Sequence, residues 1–363
     1  MVLVGTLGYL YYRHHSRPVT DVEFPQTALV DGLLSEPETL QRGARQNNVY
    51  QVSFVRWFDG TDVLLRTAET RAVALAADLR PIGEVELPGM PDAVLSVSVE
   101  GRTRLVVLSG PYAFHRAVRL SLVDEDGASH ELLQSPNDGD LRSVALLTAH
   151  DGATEIVVGA GGAAGILAVG LDGSELWDIP NIHVIYEVCT HPDLRGWVLQ
   201  IGWNARLFRE RPGGAGPELV YSRANGIYVS QGTLVRSDQG RPLAVITGPS
   251  LPFDQQTVLA LDELGRTTWK ARVPFELQHF ATLEVSGKRT VIAALGRTGD
   301  LVLFDVNGTL LTRTALPSNG EYAYDLVAGP MSDGSWALVA KSLNETYLFR
   351  IDASRLPDSA ERR

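Results

Sequence analysis

A glycine in a polar turn, set between two short runs rich in β-branched residues, recurs seven times along this chain: Gly60, Gly101, Gly152, Gly196, Gly240, Gly287 and Gly334, at intervals of 41, 51, 44, 44, 47 and 47 residues. The flanking runs read as strands, as in Ala93–Val99 before Gly101 and Thr103–Leu108 after it, or Phe280–Val285 and Arg289–Ala293 about Gly287. The turns are Asp-Gly, Glu-Gly, Arg-Gly, Gln-Gly and Ser-Gly, in which glycine supplies the positive φ of a tight hairpin. They are read as the hairpins between the first and second strands, A and B, of seven repeated units.

A second series runs in the same register. Ala260-Leu-Asp262-Glu-Leu-Gly265-Arg-Thr-Thr-Trp269, followed by Pro274, aligns with Ala168-Val-Gly-Leu-Asp172-Gly173-Ser-Glu-Leu-Trp177, followed by Pro180, and the two glycines lie 92 residues apart. Leu122–Gly127 with Pro136 and Leu303–Gly308 with Pro317 fit the same frame, and Ala74–Pro88 fits with Leu79 in the glycine's place. Two series with a period near 46 residues describe units of four short strands, the size of a propeller blade. Helix-period amphipathic runs are missing, and glycine, proline, valine and threonine recur too often for long helices. The sequence therefore predicts an all-β chain, a seven-bladed β-propeller of four-stranded blades.

An open ring would leave sheet edges that invite aggregation, so its ends must close. The seventh unit has strands around Gly334 and at Tyr347–Ile351, but Ser354–Arg363 is charged and contains proline, a poor fourth strand. The reading expects closure by an N-terminal strand within Val19–Leu34, with Val19–Phe24 the leading segment. The chain then divides into an N-terminal anchor or remnant of one over residues 1–18, a linker with the closing strand over 19–47, the propeller over 48–357 and a tail over 358–363.

The frame at Ala260–Trp269, with its looser copy at Ala168–Trp177, resembles the tryptophan-docking repeat of quinoprotein-like β-propellers. The resemblance implies that Trp177 and Trp269 pack between neighbouring blades. Quinone-dependent dehydrogenases of that family carry a vicinal cysteine pair, which a chain whose sole cysteine is Cys189 does not have. The family's outer-membrane assembly lipoprotein needs an acylated N-terminal cysteine, also missing. A WD-repeat reading can cite His150 with Asp172–Asp178, a combination no other unit repeats, and leads to the same architecture.

Charge and composition narrow the partners. A formal charge of −11 without long Lys/Arg runs argues against nucleic acid. One cysteine excludes an intramolecular disulfide and every multi-cysteine zinc pattern. Met1–Tyr12 is apolar and is followed by Arg13, His14, His15 and Arg17; it is shorter than the roughly 20 residues of a membrane span, yet its tyrosines beside Arg13 resemble the interfacial end of one. Membrane association through the N-terminus with the propeller outside the cytoplasm is the expectation, although the basic cluster argues for the opposite sidedness.

Three motifs suggest chemistry and have plainer readings. Gly159-Ala-Gly161-Gly-Ala-Ala164 follows a strand like a dinucleotide fingerprint, but Ile166–Val169 returns to strand character, which leaves a glycine-rich connection between strands B and C. Asp124-Glu-Asp126-Gly127 and Asp305-Val-Asn307-Gly308 resemble half a calcium loop and equally ordinary Asx turns. His183, Glu187, Cys189 and His191 alternate along one strand face, but spacing of nearly 7 Å per step prevents all four from sharing an ion. No metal and no cofactor is assigned.

In a radial array only the innermost strands and the loops leading into them converge, so a ligand site belongs at the channel mouth. Residues just after each second-series proline include Asp92; Asp138, Asp140 and Arg142; His183 and Glu187; Gln278 and His279; and Glu321, Tyr322 and Asp325. Arg142, His183, Glu187, His279, Tyr322 and Asp325 are the ligand-binding candidates; polar loop solvation is the competing explanation. Without a catalytic motif, the reading is a non-catalytic β-propeller that binds or scaffolds a protein or small molecule. The alternative is a propeller enzyme, an oxidoreductase or hydrolase, with its site at the central channel.

Overall fold

A computed structural model describes residues 20–22, 30–42, 51–110, 117–135, 141–161, 165–180, 185–211, 216–223, 231–247, 256–285, 287–317 and 321–358. Strands A to D of blade 1 are Val52–Arg56, Asp62–Ala68, Arg71–Leu75 and Pro81–Glu86. Blade 2 comprises Met90–Val99, Arg102–Gly110, Arg119–Val123 and Ser129–Gln134, and blade 3 Leu141–Thr148, Thr154–Ala160, Gly165–Val169 and Glu175–Ile179. Blade 4 comprises Ile185–Cys189, Trp197–Gly202, Ala205–Glu210 and Pro217–Arg223, and blade 5 Gln231–Arg236, Pro242–Thr247, Thr257–Leu261 and Thr267–Arg272. Blade 6 comprises Leu277–Leu283, Val291–Gly296, Asp300–Asp305 and Leu310–Ala315. Blade 7 takes Ala323–Pro330, Trp336–Ser342 and Glu345–Ile351 from the C-terminal end and its D strand, Glu38–Arg42, from the N-terminal end. A strands of successive blades touch around the ring, and that of blade 7 touches that of blade 1.

Every glycine of the first series lies at an A–B hairpin with positive φ, from 73° to 89°. The second series forms the C–D hairpins, and Leu79 holds φ 63° where Gly127, Gly173, Gly265 and Gly308 stand in other blades. Its N–H donates to Ala76 O at 2.9 Å, as Gly127 N does to Asp124 O at 3.0 Å. The turn geometry is thus kept without the glycine, at a cost on the order of 1 kcal/mol.

Closure differs from the sequence expectation in one respect. The closing strand is Glu38–Arg42, paired antiparallel with Glu345–Ile351, and not a segment within Val19–Leu34. Thr20–Val22 instead adds a fifth, parallel strand to the outer edge of blade 5, with Thr20 opposite Trp269. The physical reason is chain reach: each D strand must lead directly into the next A strand, and Glu38–Arg42 immediately precedes Val52–Arg56 in strand order, whereas Thr20–Val22 does not. The intervening segment still contributes, because Leu33 is fully buried in the blade 6–7 core and Leu34 bridges Ile351.

The apolar clusters lie between blades, where each outer strand covers its neighbour. Trp269 of blade 5 is buried against Phe304, Val306 and Leu310 of blade 6, and its Nε1 donates to Val306 O at 2.8 Å. A Cβ on Gly308 would sit 2.7 Å from its ring. Trp177 packs with Ile185, Val188 and Phe208 of blade 4, and its Nε1 donates to Glu155 Oε2 at 2.8 Å. Tyr221 lies over Gly265 in the same way, whereas at Gly173 it is the backbone of Leu132 that crosses the glycine, with the Leu132 side chain buried in the blade 2–3 core. In blade 1 the register partner of Ala74 is Gly83, as Trp269 is of Ala260; there Trp57, from the A–B turn, lies across the glycine and packs on Val94 and Val107 of blade 2.

Two truncations test closure by thermal and urea unfolding. Removing residues 1–35 takes away the buried Leu33 and is expected to cost about 2–5 kcal/mol. Removing 1–42 also strips strand D of blade 7 and is expected to cost clearly more; equal stability of the two truncations would contradict closure by Glu38–Arg42.

Candidate functional site

The A strands of five blades begin with a β-bulge at one register, between Pro91 and Ala93, Leu141 and Ser143, Ile185 and Glu187, Leu277 and His279, and Ala323 and Asp325. A bulge interrupts the two-residue alternation and re-aims side chains. The extra residues are Asp92, Arg142, Tyr186, Gln278 and Tyr324; Glu187, His279 and Asp325 are the first to rejoin the ladder in blades 4, 6 and 7. All lie at the face of the ring where A strands start, the channel mouth.

Glu187 of blade 4 feels the charge of Asp325, three blades away. The Glu187 carboxyl is pushed up to about 7, chiefly by burial in the channel wall and secondarily by the Asp325 charge. Asp325 is held by Lys341, its ladder partner on strand B, with Nζ 3.7 Å from Oδ2. Lys341 is buried, which pulls its ammonium below the usual lysine range against the opposing effect of Asp325. The same ammonium lies 5.0 Å from the centre of the Tyr324 ring, and burial, helped by Asp325, raises the Tyr324 phenol. One step along strand A from Glu187, burial and the Glu187 charge push the Cys189 thiol well up; its Sγ donates to Gly232 O at 3.5 Å.

The other candidates distribute around this group. Arg142 is on the same bulge ring, with its Nε buried and without a hydrogen-bond partner, and it forms no ion pair with Glu187 or Asp325. Tyr322 sits between blades 6 and 7 rather than with the acidic pair: its hydroxyl donates to Gln278 Oε1 at 3.2 Å, and the Arg297 guanidinium lies 5.4 Å from its ring centre. His183 lies outside the described residues, as do Asp138 and Asp140.

At the other end of the inner strands, His191 Nε2 meets Glu284 Oε1 at 2.9 Å, linking blades 4 and 6 past blade 5. Its Nδ1 accepts from Asp193 N at 3.1 Å, so the proton of the neutral ring is on Nε2 and is donated to Glu284. Glu187, Cys189 and His191 therefore project together, as alternation implies, but toward three different partners. Among the described residues no group of three or more histidine, cysteine, aspartate or glutamate side chains could hold a metal ion. Asp305 of the calcium-like motif accepts from Asn307 N and Thr309 N and pairs with Arg289, which is turn chemistry.

No family model matches the chain, and no curated protein matches it by sequence. Solved structures do. BBS1N in complex with ARL6DN, in a crystal soaked with lead, aligns with a TM-score of 0.67 at 13% identity over 88% of this chain and 96% of that one. The mercury-soaked crystal of the same complex gives 0.66 at 13% identity over 92% and 100%. Streptogramin B lyase gives 0.59 at 14% identity over 88% and 97%. The shared feature is the fold. This chain is a seven-bladed β-propeller.

Lys341 and Tyr324 were not among the sequence candidates. Lys341 is near the end of a strand B whose other residues up to it are apolar, and Tyr324 is set by a bulge that strict alternation does not register. A lysine amid the run Trp336–Ser342 was the available signal.

The raised Glu187 carboxyl has a definite consequence for stability. Its ordinary value is 4.5 and its folded value about 7, so between these the folded chain binds more protons than the unfolded one, and stability falls as pH rises through that window. Glu187→Gln removes this loss. In urea unfolding the variant is expected to gain on the wild type by roughly 2–3 kcal/mol between pH 4.5 and pH 8; a parallel pH dependence for the two proteins would show that Glu187 titrates normally.

Proposed function

We propose that this propeller is a non-catalytic binding or scaffolding protein that receives a partner protein over the channel mouth. The observation that carries the reading is the setting of that mouth. Trp203 and Leu343, at the B–C turns of blades 4 and 7, are 55% and 58% exposed, and they flank the polar ring of Glu187, Asp325 and Arg142 from opposite sides. Exposed aromatic and aliphatic anchors around a patch with fixed charges are the composition of protein-binding surfaces. The likeness to BBS1N, a propeller solved in complex with ARL6DN, supports the same reading. Cys189, its thiol pushed up and donating to a carbonyl, is not poised as a nucleophile.

The apolar Met1–Tyr12 supports attachment of the propeller to a membrane, with the ring outside the cytoplasm. The tryptophan frame at Trp177 and Trp269 supports a place among quinoprotein-like propellers. One observation favours the enzymatic alternative: a carboxyl with a value near 7 within reach of the Asp325 charge is suited to proton transfer, and a lyase shares the fold.

Photo-cross-linking in native cells tests the partner face. A cross-linker at position 203 or 343 is expected to give a discrete protein adduct, and one at Leu264, equally exposed on the opposite face, to give none. Adducts from Leu264 alone would reverse the assignment. Fractionation tests the anchor: the protein is expected with membranes and open to protease added outside the cytoplasm, and a wholly soluble pool would rule attachment out.

A further inference from the structure

Between Thr20 and Arg42 the N-terminal segment is attached to three blades in turn. Thr20–Val22 pairs with strand D of blade 5, Val30 N donates to Leu311 O of blade 6 at 2.9 Å, and Leu33 is buried between blades 6 and 7. Ser35 N donates to Arg350 O at 2.9 Å, and Glu38–Arg42 completes blade 7. An anchor that precedes Thr20 therefore leaves the propeller at the outer edge of blade 5, not at the closing strand.

The parallel pairing also fixes a direction, with Thr20 opposite Trp269 and Val22 opposite Ala271. Strand D of blade 5 runs from its C–D hairpin towards the connection into the next strand A, which begins at the mouth. Thr20–Val22 runs the same way, so the chain before Thr20 points to the hairpin Asp262–Arg266, on the face opposite the mouth. Leu264, at the tip of that hairpin, is 59% exposed. The acidic residues beside it are each held by an arginine, Asp262 by Arg266 at 2.7 Å and Glu263 by Arg241 at 2.8 Å, so the apolar tip is flanked by paired charges. Residues 212–215 of the neighbouring blade 4 hairpin are Pro, Gly, Gly and Ala and carry no charge.

Met1–Tyr12 and Thr20 are joined by seven residues, 13–19, which span at most about 25 Å. Arg13 and Arg17 are among the seven and none is acidic, and basic residues next to a bilayer are drawn to anionic head groups. Given the attachment through Met1–Tyr12 proposed above, on which this rests, we propose that the propeller stands on the membrane by its blade 5 corner. The hairpin Asp262–Arg266 then lies against the lipid surface with Leu264 at its tip, and the channel mouth is turned to the aqueous phase. Blade 2, across the ring, carries Asp124, Glu125 and Asp126 at its C–D hairpin with Arg104 on the first of them, a surplus of acid that anionic head groups repel and that lifts this side. The orientation also names the kind of partner. Strand D of blade 5 has six residues, so the mouth stands about 20 Å above the hairpin face. It is reached by a soluble protein rather than by a neighbour embedded in the same bilayer.

A fluorescent amino acid is placed at position 264, 125 or 343 of the full chain, which is bound to vesicles of phosphatidylcholine and phosphatidylglycerol with nitroxide-labelled head groups. Position 264 is expected to lose most of its emission, position 125 a smaller part, and position 343, at the mouth, none. The triple variant Thr20→Pro, Asp21→Pro, Val22→Pro keeps the tether length but cannot donate hydrogen bonds to blade 5. It is expected to stay on the vesicles and to lose the difference between positions 264 and 343. Bound protein quenched as strongly at 343 or at 125 as at 264 overturns the orientation and leaves attachment standing. A difference that survives in the triple variant shows that pairing with blade 5 does not set the orientation, and overturns the proposal as well. Protein that does not float with the vesicles overturns attachment and orientation together. If the triple variant does not fold, a flexible Gly-Ser insert between Pro18 and Val19 lengthens the tether instead, and loss of quenching at position 264 is then required of it.

Discussion

Each blade has two apolar faces and covers neither by itself. In blade 3, Val157 and Val158 are adjacent on one strand, point to opposite sides and are both fully buried, so each needs a neighbouring blade to exclude water. This makes the seam, rather than the individual sheet, the unit of stability. An outer-strand residue laid over the next blade's turn serves it best when the turn has no Cβ, which is why Trp269 lies on Gly308. Where a ring is lacking on the outer strand, another element compensates, as Trp57 does over Gly83.

What was legible in the sequence follows from the same physics. The A–B hairpins could be read because their turns demand positive φ, and glycine records that demand locally. The C–D hairpins could be read in register but not in full, since Leu79 adopts the same conformation without the glycine. The closing strand was misplaced because Glu38–Arg42 is identified by its pairing with Glu345–Ile351 at the far end of the chain, a relation that no local pattern carries. Arg142, Glu187, His279 and Asp325 could be placed near the start of A strands from their position after the prolines. Which of them approach one another could not, because the bulges decide it.

The channel mouth combines groups whose environments act in opposite directions. Burial raises the Glu187 carboxyl and lowers the Lys341 ammonium, so both are drawn toward their neutral forms, while Asp325 opposes neutralisation of the lysine and favours that of the glutamate. One carboxylate thus bears, after burial, on the protonation of two groups on different blades. A partner that brings a cation to the mouth would compete with Lys341 for Asp325 and would favour ionised Glu187, coupling its arrival to proton release.

The pairing of Glu38–Arg42 with Glu345–Ile351 also determines the order in which the molecule can be made. During synthesis Glu38–Arg42 emerges long before its partner strand, Glu345–Ile351, with six blades between them. Blades 1 to 6 can assemble in sequence from contacts close in the chain, but the seventh must wait for the last strands and then search for an end released long before. Until that encounter, the edge of Glu345–Ile351 stands unpaired and the ring is open between blades 7 and 1.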